Sequence, residues 1–393
     1  MTPAARISAA ITVLDRILAG EAAERALTGW ARSSRYAGSK DRAALRDLVF
    51  TALRRRRSFA WLGGAETGRG LMLGLLRAEG TDPATLFTGE GHAPAPVGQE
   101  AGKPLDEAPS PVRLDCPDWL WPMLTADLGP DREAALTALQ SRAEVFLRVN
   151  LARCERADAI DTLAQDGIVA VPHPTVRTAL QVISGAARIK MSGAMASGLV
   201  ELQDAASQAA ILSLPLQDGL RVLDYCAGGG GKSLAMAALF RLTIVAHDRD
   251  PGRMTDLPVR AARSGAQIVM AASADLDRLA PFDLVLADVP CSGSGTWRRT
   301  PDAKWRLDRA RLDDLQALQG RILDQAAGLV APGGVLAYAT CSILDAENDV
   351  QVNAFLARAA GWRRIRTLRL LPGPAQDGFF LASLRKPHPA TFG

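Results

Sequence analysis

Between residues 220 and 340 the chain alternates five short apolar runs with helix-length segments, a pattern that few architectures accept. The runs cover 220–224, 243–248, 267–270, 283–288 and 334–340, and each is built mainly of aliphatic and small residues. Strands separated by single helices imply a doubly wound α/β sheet with parallel strands. Ligands of such sheets lie beyond the carboxyl ends of the strands. The residues at those ends are therefore the first candidates for function.

The rest of the chain is divided by composition. With 393 residues it exceeds what one core usually organises, so two or three domains are expected. Apolar residues at Ala5, Ile7, Ala10, Ile11, Leu14 and Ile17, and again at Ala44, Leu45, Leu48, Val49 and Leu53, follow helical spacing. They predict a helical domain over 1–85. Five prolines and four glycines between 87 and 112, with few large apolar residues, predict an exposed linker over 86–112. Residues 113–218 read as a helical connector, with a helix over 118–139, followed by a small α+β subdomain with a strand over 146–150 and a helix over 157–165. Residues 219–393 form the α/β domain.

No apolar run is long enough to span a membrane, and the first ten residues lack the layout of a secretory signal, so a cytoplasmic protein is expected. Cys116, Cys154, Cys226, Cys291 and Cys341 form neither a disulfide framework nor a metal-binding pair; reduced thiols and no metal are predicted. A monomer is the default.

The first strand runs into Asp224, Tyr225, Cys226, Ala227, then Gly228, Gly229, Gly230 and Gly231, then Lys232 and Ser233. Glycines let the backbone approach a ligand, and the helix that follows points its amides at it. Asp248 closes the next strand, where an acid commonly holds a ribose hydroxyl. A phosphate loop needs glycine where this chain has Cys226, and a dinucleotide loop needs a third glycine where it has Ser233. Asp224 suits the cationic amino group of a methionine-like ligand.

The fourth strand ends in Asp288, Val289, Pro290 and Cys291, and the fifth in Thr340, Cys341 and Ser342. A lone cysteine is more often a small buried hydrophobe, and Cys116 and Cys154 are read so, with Cys226 packing beneath the cofactor loop. Two thiols and an acid at one crevice fit a specific need. Carbon 5 of cytosine is too poor a nucleophile to take a methyl group from a sulfonium. A thiolate added at carbon 6 makes it enamine-like, an acid balances charge at nitrogen 3, and a base then removes the carbon 5 proton. The thiol itself needs nearby positive charge to ionise.

At these residues the chain resembles the bacterial Sun/Fmu-type RNA cytosine carbon 5 methyltransferases of the NOL/NOP/Sun superfamily, within them the small-subunit ribosomal RNA enzyme. The matching stretches run in order: Leu147-Arg148-Val149-Asn150; Gln203-Asp204-Ala205-Ala206-Ser207-Gln208; the glycine loop; Asp248; Asp288 to Gly293; Arg298 to Trp305; Ala339 to Ser342; Glu347-Asn348; and Asp377 to Phe380. The resemblance implies a class I, Rossmann-like methyltransferase domain that uses S-adenosylmethionine. It implies Cys341 as nucleophile, Cys291 as the group that assists product release, Asp288 on the target cytosine and Lys232 in the active site. Asp224, Cys226, Ala227, the four glycines, Lys232, Asp248, Arg253, Asp275 and Asp288 would surround the cofactor. The family loop reads A-A-P-G-G-K, and Gly228 and Gly229 replace its second alanine and proline, which loosens the turn. The family's N-terminal domain, which resembles the NusB antitermination factor, is shortened here.

Small-subunit ribosomal RNA is the implied partner, with transfer RNA or another RNA as the alternative. A factor that binds RNA but performs no chemistry stays open beside both. Arg298, Arg299, Lys304 and Trp305 combine guanidinium and ammonium groups with an aromatic ring, which suits phosphate contact and base stacking. Core packing of the tryptophan is the equal alternative. Residues 1–70 carry 13 Lys and Arg against 6 Asp and Glu, and Arg54, Arg55, Arg56 and Arg57 could face an RNA backbone or simply end a helix.

Overall fold

Helix Pro3–Leu18 begins on Thr2, whose hydroxyl accepts the Ala5 N–H, and it buries Ile7, Ala10, Val13 and Leu14 along one face. Ser39–Arg54 contributes Leu45, Val49 and Leu53 to the same core. Arg56–Gly63 and Gly68–Ala78 cross at backbone contact, because a Cβ on Gly74 would stand 1.9 Å from the Phe59 carbonyl oxygen. These helices belong to a unit of Met1–Ala143 together with Thr296–Arg309. The computed structural model describes residues 1–388, and the second unit holds Glu144–Gly295 and the chain from Ala310 onward.

The expected linker is not one. Residues 86–112 close onto the helices: Phe87 is buried, Arg69 donates to Glu100 and to the carbonyls of Ala95 and Pro96, and Trp61 Nε1 donates to Pro104 O. Side chains of the helices, rather than a regular backbone ladder, satisfy this segment, and composition does not register that. The helical unit therefore runs on to Ala143, well past 85, and the boundary falls inside the expected connector. The helix expected over 118–139 breaks into Trp121–Leu128 and Arg132–Leu139 at Gly129, which takes φ +50°, and Pro130. The last five residues of the domain expected over 219–393 lie outside the described residues.

The second unit contains two sheets. Strands β1 (Val145–Val149), β2 (Val169–Pro172), β3 (Ala179–Ser184) and β4 (Val200–Leu202) pair antiparallel in the order β2-β3-β1-β4, the order of a split β-α-β unit. Helix Arg156–Gln165 covers one face with Ala159 and Leu163. The first two family-like stretches fasten this sheet to the larger one. Arg148 donates to Gln203 Oε1 (2.6 Å) and to Gly231 O (2.8 Å), and Asn150 donates to Ser264 O. Burial lowers the Arg148 guanidinium to about 10.

In the larger sheet, β5 (Arg221–Asp224), β6 (Thr243–Ala246), β7 (Ile268–Met270), β8 (Phe282–Asp288) and β9 (Val330–Thr340) run parallel. Strands β10 (Arg363–Leu370) and β11 (Phe379–Arg385) extend it, giving the order β10-β11-β9-β8-β5-β6-β7. β11 pairs antiparallel with β9, so the sheet is mixed where a parallel one was expected. Both faces are covered by apolar clusters, one around Leu223, Val285, Leu336 and Phe355, the other around Val222, Leu284, Ala337 and Ile211. Burial on both faces explains the continuous apolar runs in the sequence.

Candidate active site

The carboxyl ends of β5, β6, β8 and β9 carry the predicted residues. Asp224 ends β5 wholly buried; Ser233 donates to its Oδ2 at 2.6 Å, while its Oδ1 has no hydrogen-bond partner. Burial pushes its carboxyl up to about 6, against the lowering by Ser233 and Lys232. An unpaired buried carboxylate oxygen is costly unless a ligand completes it. Gly228 takes φ +51° and donates its N–H to Asp248 Oδ2 at 3.0 Å; Gly230 takes φ +76°, and a Cβ there would meet Leu257 at 2.2 Å. The glycine in place of the family's alanine thus occupies a left-handed position that disfavours any side chain.

Asp248 is held from two more sides, by the Asp250 N–H (3.0 Å) and Arg253 (3.1 Å). With Cys226 and Arg253 it lines a cavity of about 940 Å³ that also meets Tyr225, His247 and Gln325. That volume lies within the roughly 300–1,000 Å³ of small-molecule sites. His247 is fixed by Tyr225 O and Ser273 Oγ, and Tyr225 donates to Gln325. Burial first, then Asp224 and its neighbours, push the Cys226 thiol up to about 12, so it is inert packing in the wall. Asp275 is turned away: its carboxylate is 45% exposed and pairs with Arg278. Ser273, two residues earlier, and Asp277, two residues later, line the cavity instead.

At the next strand ends Lys232 Nζ meets Asp288 Oδ2 at 2.5 Å, with the Phe379 ring beneath the ammonium. Burial alone would lower this lysine, but Asp288, Asp224 and Cys341 together raise it, so it holds its charge. Cys291 Sγ lies 3.4 Å from Cys341 Sγ. The hydrogen bond to Cys341, then burial, then the charge at Cys341 push the Cys291 thiol well above its ordinary range. Of the two thiols, Cys291 is thus the one whose surroundings disfavour its anion. Gly295 donates to Cys341 O (2.9 Å), which ties the two cysteine loops by backbone.

The residues expected to hold RNA are arranged differently. Arg298 and Lys304 are buried in the helical unit, and Trp305 donates its indole N–H to Leu53 O (2.7 Å) with Lys304 and Arg56 over its ring. The half-buried indole is thus engaged at its edge and by two cations within the helical unit. Arg299 alone of the four is exposed. In the arginine run only Arg54 is buried, donating to Arg298 O; Arg55, Arg56 and Arg57 are half-buried, Arg55 over the Phe59 ring, Arg56 paired with Glu66 and Arg57 with Asp118. Sequence reasoning gave no role to Glu347, Gln319, His247 or Gln325. His247 stands beside Asp248 at a strand end and was legible by position; Gln319 and Gln325 come from helix Arg309–Gly328 with no local signature.

Among the described residues no group of three or more His, Cys, Asp or Glu could hold a metal, and no helix is long and apolar enough to cross a membrane.

Residues 211–385 match the family model described as 16S rRNA methyltransferase RsmB/F, and residues 116–187 match a ferredoxin-like domain of RsmF/B-like methyltransferases. The ribosomal RNA small subunit methyltransferase B of Serratia proteamaculans is 34% identical over 284 residues, 69% of this chain and 66% of the relative. That of Xanthomonas campestris pv. campestris is 35% identical over 294 residues, with the same shares. The matched part thus spans about two thirds of those relatives' length. Among solved structures, PH0851 superposes with a TM-score of 0.76 at 24% identity, covering 98% of this chain and 99% of that one. A methyltransferase homologue from Pyrococcus horikoshii superposes with a TM-score of 0.62 at 23% identity, covering 70% and 97%.

Proposed function

As the chain belongs to the RsmB/F methyltransferase family, we propose that it transfers a methyl group from S-adenosylmethionine to carbon 5 of a cytosine in small-subunit ribosomal RNA, through a covalent bond from Cys341 to carbon 6. The observation that carries this reading is the pair of thiols 3.4 Å apart at adjacent strand ends, one of them facing a charged lysine. S-adenosylmethionine supplies an electrophilic methyl group when bound. Asp224 Oδ1 would take its amino group, Asp248 its ribose hydroxyls, and the glycine loop would let the backbone approach it; the unpaired oxygen at Asp224 and the cavity beside Asp248 fit that ligand.

The chain's own groups then divide the work. Lys232 favours negative charge at Cys341, which is the state that attacks carbon 6. Asp288 is ion-paired with Lys232, and that pair, whose exchangeable proton is carried by the ammonium, would supply the proton that balances the addition at nitrogen 3 and take it back on elimination. Once Cys341 is bonded to carbon, its charge is gone. The hydrogen bond and the charge that kept the proton on Cys291 go with it. Cys291 then gives its proton to solvent more easily and, as a thiolate, takes the carbon 5 proton, while the electron pair left at carbon 5 re-forms the ring double bond, the bond from sulfur to carbon 6 breaks and Cys341 leaves as thiolate. The target base must leave its stack to reach this crevice, so an unpaired stretch of RNA is the easier substrate.

Transfer from labelled S-adenosylmethionine to unmodified small-subunit ribosomal RNA, followed by bisulfite mapping, tests the proposal. One newly protected cytosine is expected. Label found only in other cellular RNA would keep the chemistry and discard the substrate, and no transfer to any RNA would end the reading.

A further inference from the structure

Glu347 lies wholly buried beneath both cysteine loops, in the short turn Asp345–Glu347 after β9. Its carboxylate accepts four hydrogen bonds: from Ser292 N (2.8 Å), Ser292 Oγ (2.5 Å), Ser342 Oγ (2.5 Å) and Gln319 Nε2 (3.0 Å). Ser292 follows Cys291 directly, and Ser342 follows Cys341. Gln319 also donates to Pro290 O at 3.0 Å, so it grips the residue on the other side of Cys291. The turn is anchored in its own right, because Tyr338 Oη donates to Glu347 O at 2.6 Å, and Asn348 takes Thr340 Oγ1 and donates to Ser342 O. Two loops that are 50 residues apart in sequence thus share one anion as their common acceptor.

We propose that Glu347 is a positioning residue: it sets the spacing of the two thiols and, as a buried negative charge facing Cys291, leaves the proton on Cys291 and the anionic charge on Cys341. A carboxylate suits this place because a single acceptor group with two oxygens can join both loops, and charged acceptors make the stronger hydrogen bonds. Its effect adds to that of Cys341 on the Cys291 thiol. The other groups facing the pair are Tyr338, whose phenol is pushed well up by burial, Cys291 and Glu347, and Lys232, which faces Cys341. The inference rests on the methyltransferase reading for its consequence, but the thiols report it without methyl transfer.

The test is alkylation of the full chain by iodoacetamide from neutral to alkaline pH, with the Cys291 and Cys341 peptides resolved by mass spectrometry, in wild type, Glu347→Gln and Glu347→Asp. Wild type should alkylate faster at Cys341. In Glu347→Gln the Cys291 profile should move to lower pH and the preference for Cys341 fall by about tenfold, equivalent to about one pKa unit. Glu347→Asp keeps the charge but shortens the arm, so the preference should hold while transfer to RNA slows. An unchanged preference in a folded Glu347→Gln overturns the charge role. Unchanged transfer in Glu347→Asp overturns the spacing role. If wild type transfers no methyl group to any RNA, the proposed function fails, and the alkylation profiles still judge Glu347.

Discussion

Each unit carries a lysine, an aspartate and a cysteine within electrostatic reach of one another, and the two clusters behave in opposite ways. In the α/β unit Lys232 pairs with Asp288 at 2.5 Å, faces Cys341 and is raised above its ordinary range. In the helical unit Lys304 faces Asp115 and Cys116, yet burial lowers it to about 8. Asp115, at φ +50°, uses both oxygens to hold Ser58, Gln140 and the N–H of Arg57, so its charge is spent on the start of helix Arg56–Gly63. Burial pushes Cys116 up to about 11. The same three residue types give a charged lysine beside a thiol where an acid is free to pair with it, and a structural cluster where local backbone has claimed the acid. Residue inventory alone does not separate these cases; hydrogen-bond partners do.

The largest effect should separate the two cysteines. Cys341→Ala is expected to lower methyl transfer on the order of a thousandfold or more, as loss of a nucleophile does. Cys116→Ala should cost about 1 kcal/mol of stability and leave transfer by the folded protein unaltered. Single-turnover transfer kinetics, with thermal melting of both variants, check the pair. Equal losses of activity would erase the distinction between the clusters.

Next is the pH dependence of stability. Lys304 binds its proton at about 8 in the folded chain against an ordinary 10.5. Below about 8 both states are protonated and the penalty is complete and flat; between these values the unfolded chain binds more protons, so stability rises with pH. The whole rise is worth roughly 3 kcal/mol. Lys304→Met should remove that rise relative to wild type in urea unfolding on either side of the window. Lys232, raised rather than lowered, should show no such gain, and a rise that persists in Lys304→Met would mean that another group carries it.

These two clusters also mark what the sequence made legible. The order of strands and the placement of Asp224, Asp248, Asp288, Cys291 and Cys341 could be read because each sits at the end of an apolar run, where chain direction alone places it at the carboxyl edge of the sheet. The segment around Arg298 and Trp305 misled for the converse reason: basic and aromatic residues look alike whether they face RNA or pack on Leu53 and Arg54. The folded strap over 86–112 was hidden because its carbonyls are met by side chains, Arg69 and Arg77 of helix Gly68–Ala78, rather than by a backbone ladder. Strands β10 and β11 were passed over as an antiparallel addition that the alternation of strands and helices does not announce. Glu347 stood in a matched stretch, but nothing local says that its partners are Ser292 and Ser342.

The smallest effect concerns a third buried acid, Asp224, and tests whether the α/β unit keeps an oxygen for a ligand. Its carboxyl sits at about 6 because burial penalises the anion while one oxygen has no partner. A ligand ammonium at that oxygen favours the anion, so binding below about pH 6 must be accompanied by loss of the Asp224 proton. The dissociation constant for S-adenosylmethionine should therefore rise by about tenfold for each pH unit below that point. Above it the constant should be flat. Asp224→Asn should bind more weakly than wild type at neutral pH and lose the acid-side slope, as titration calorimetry at several pH values would record. A slope that survives in Asp224→Asn would move the proton elsewhere, and Asp224 would then join Asp115 as a carboxylate kept for structure.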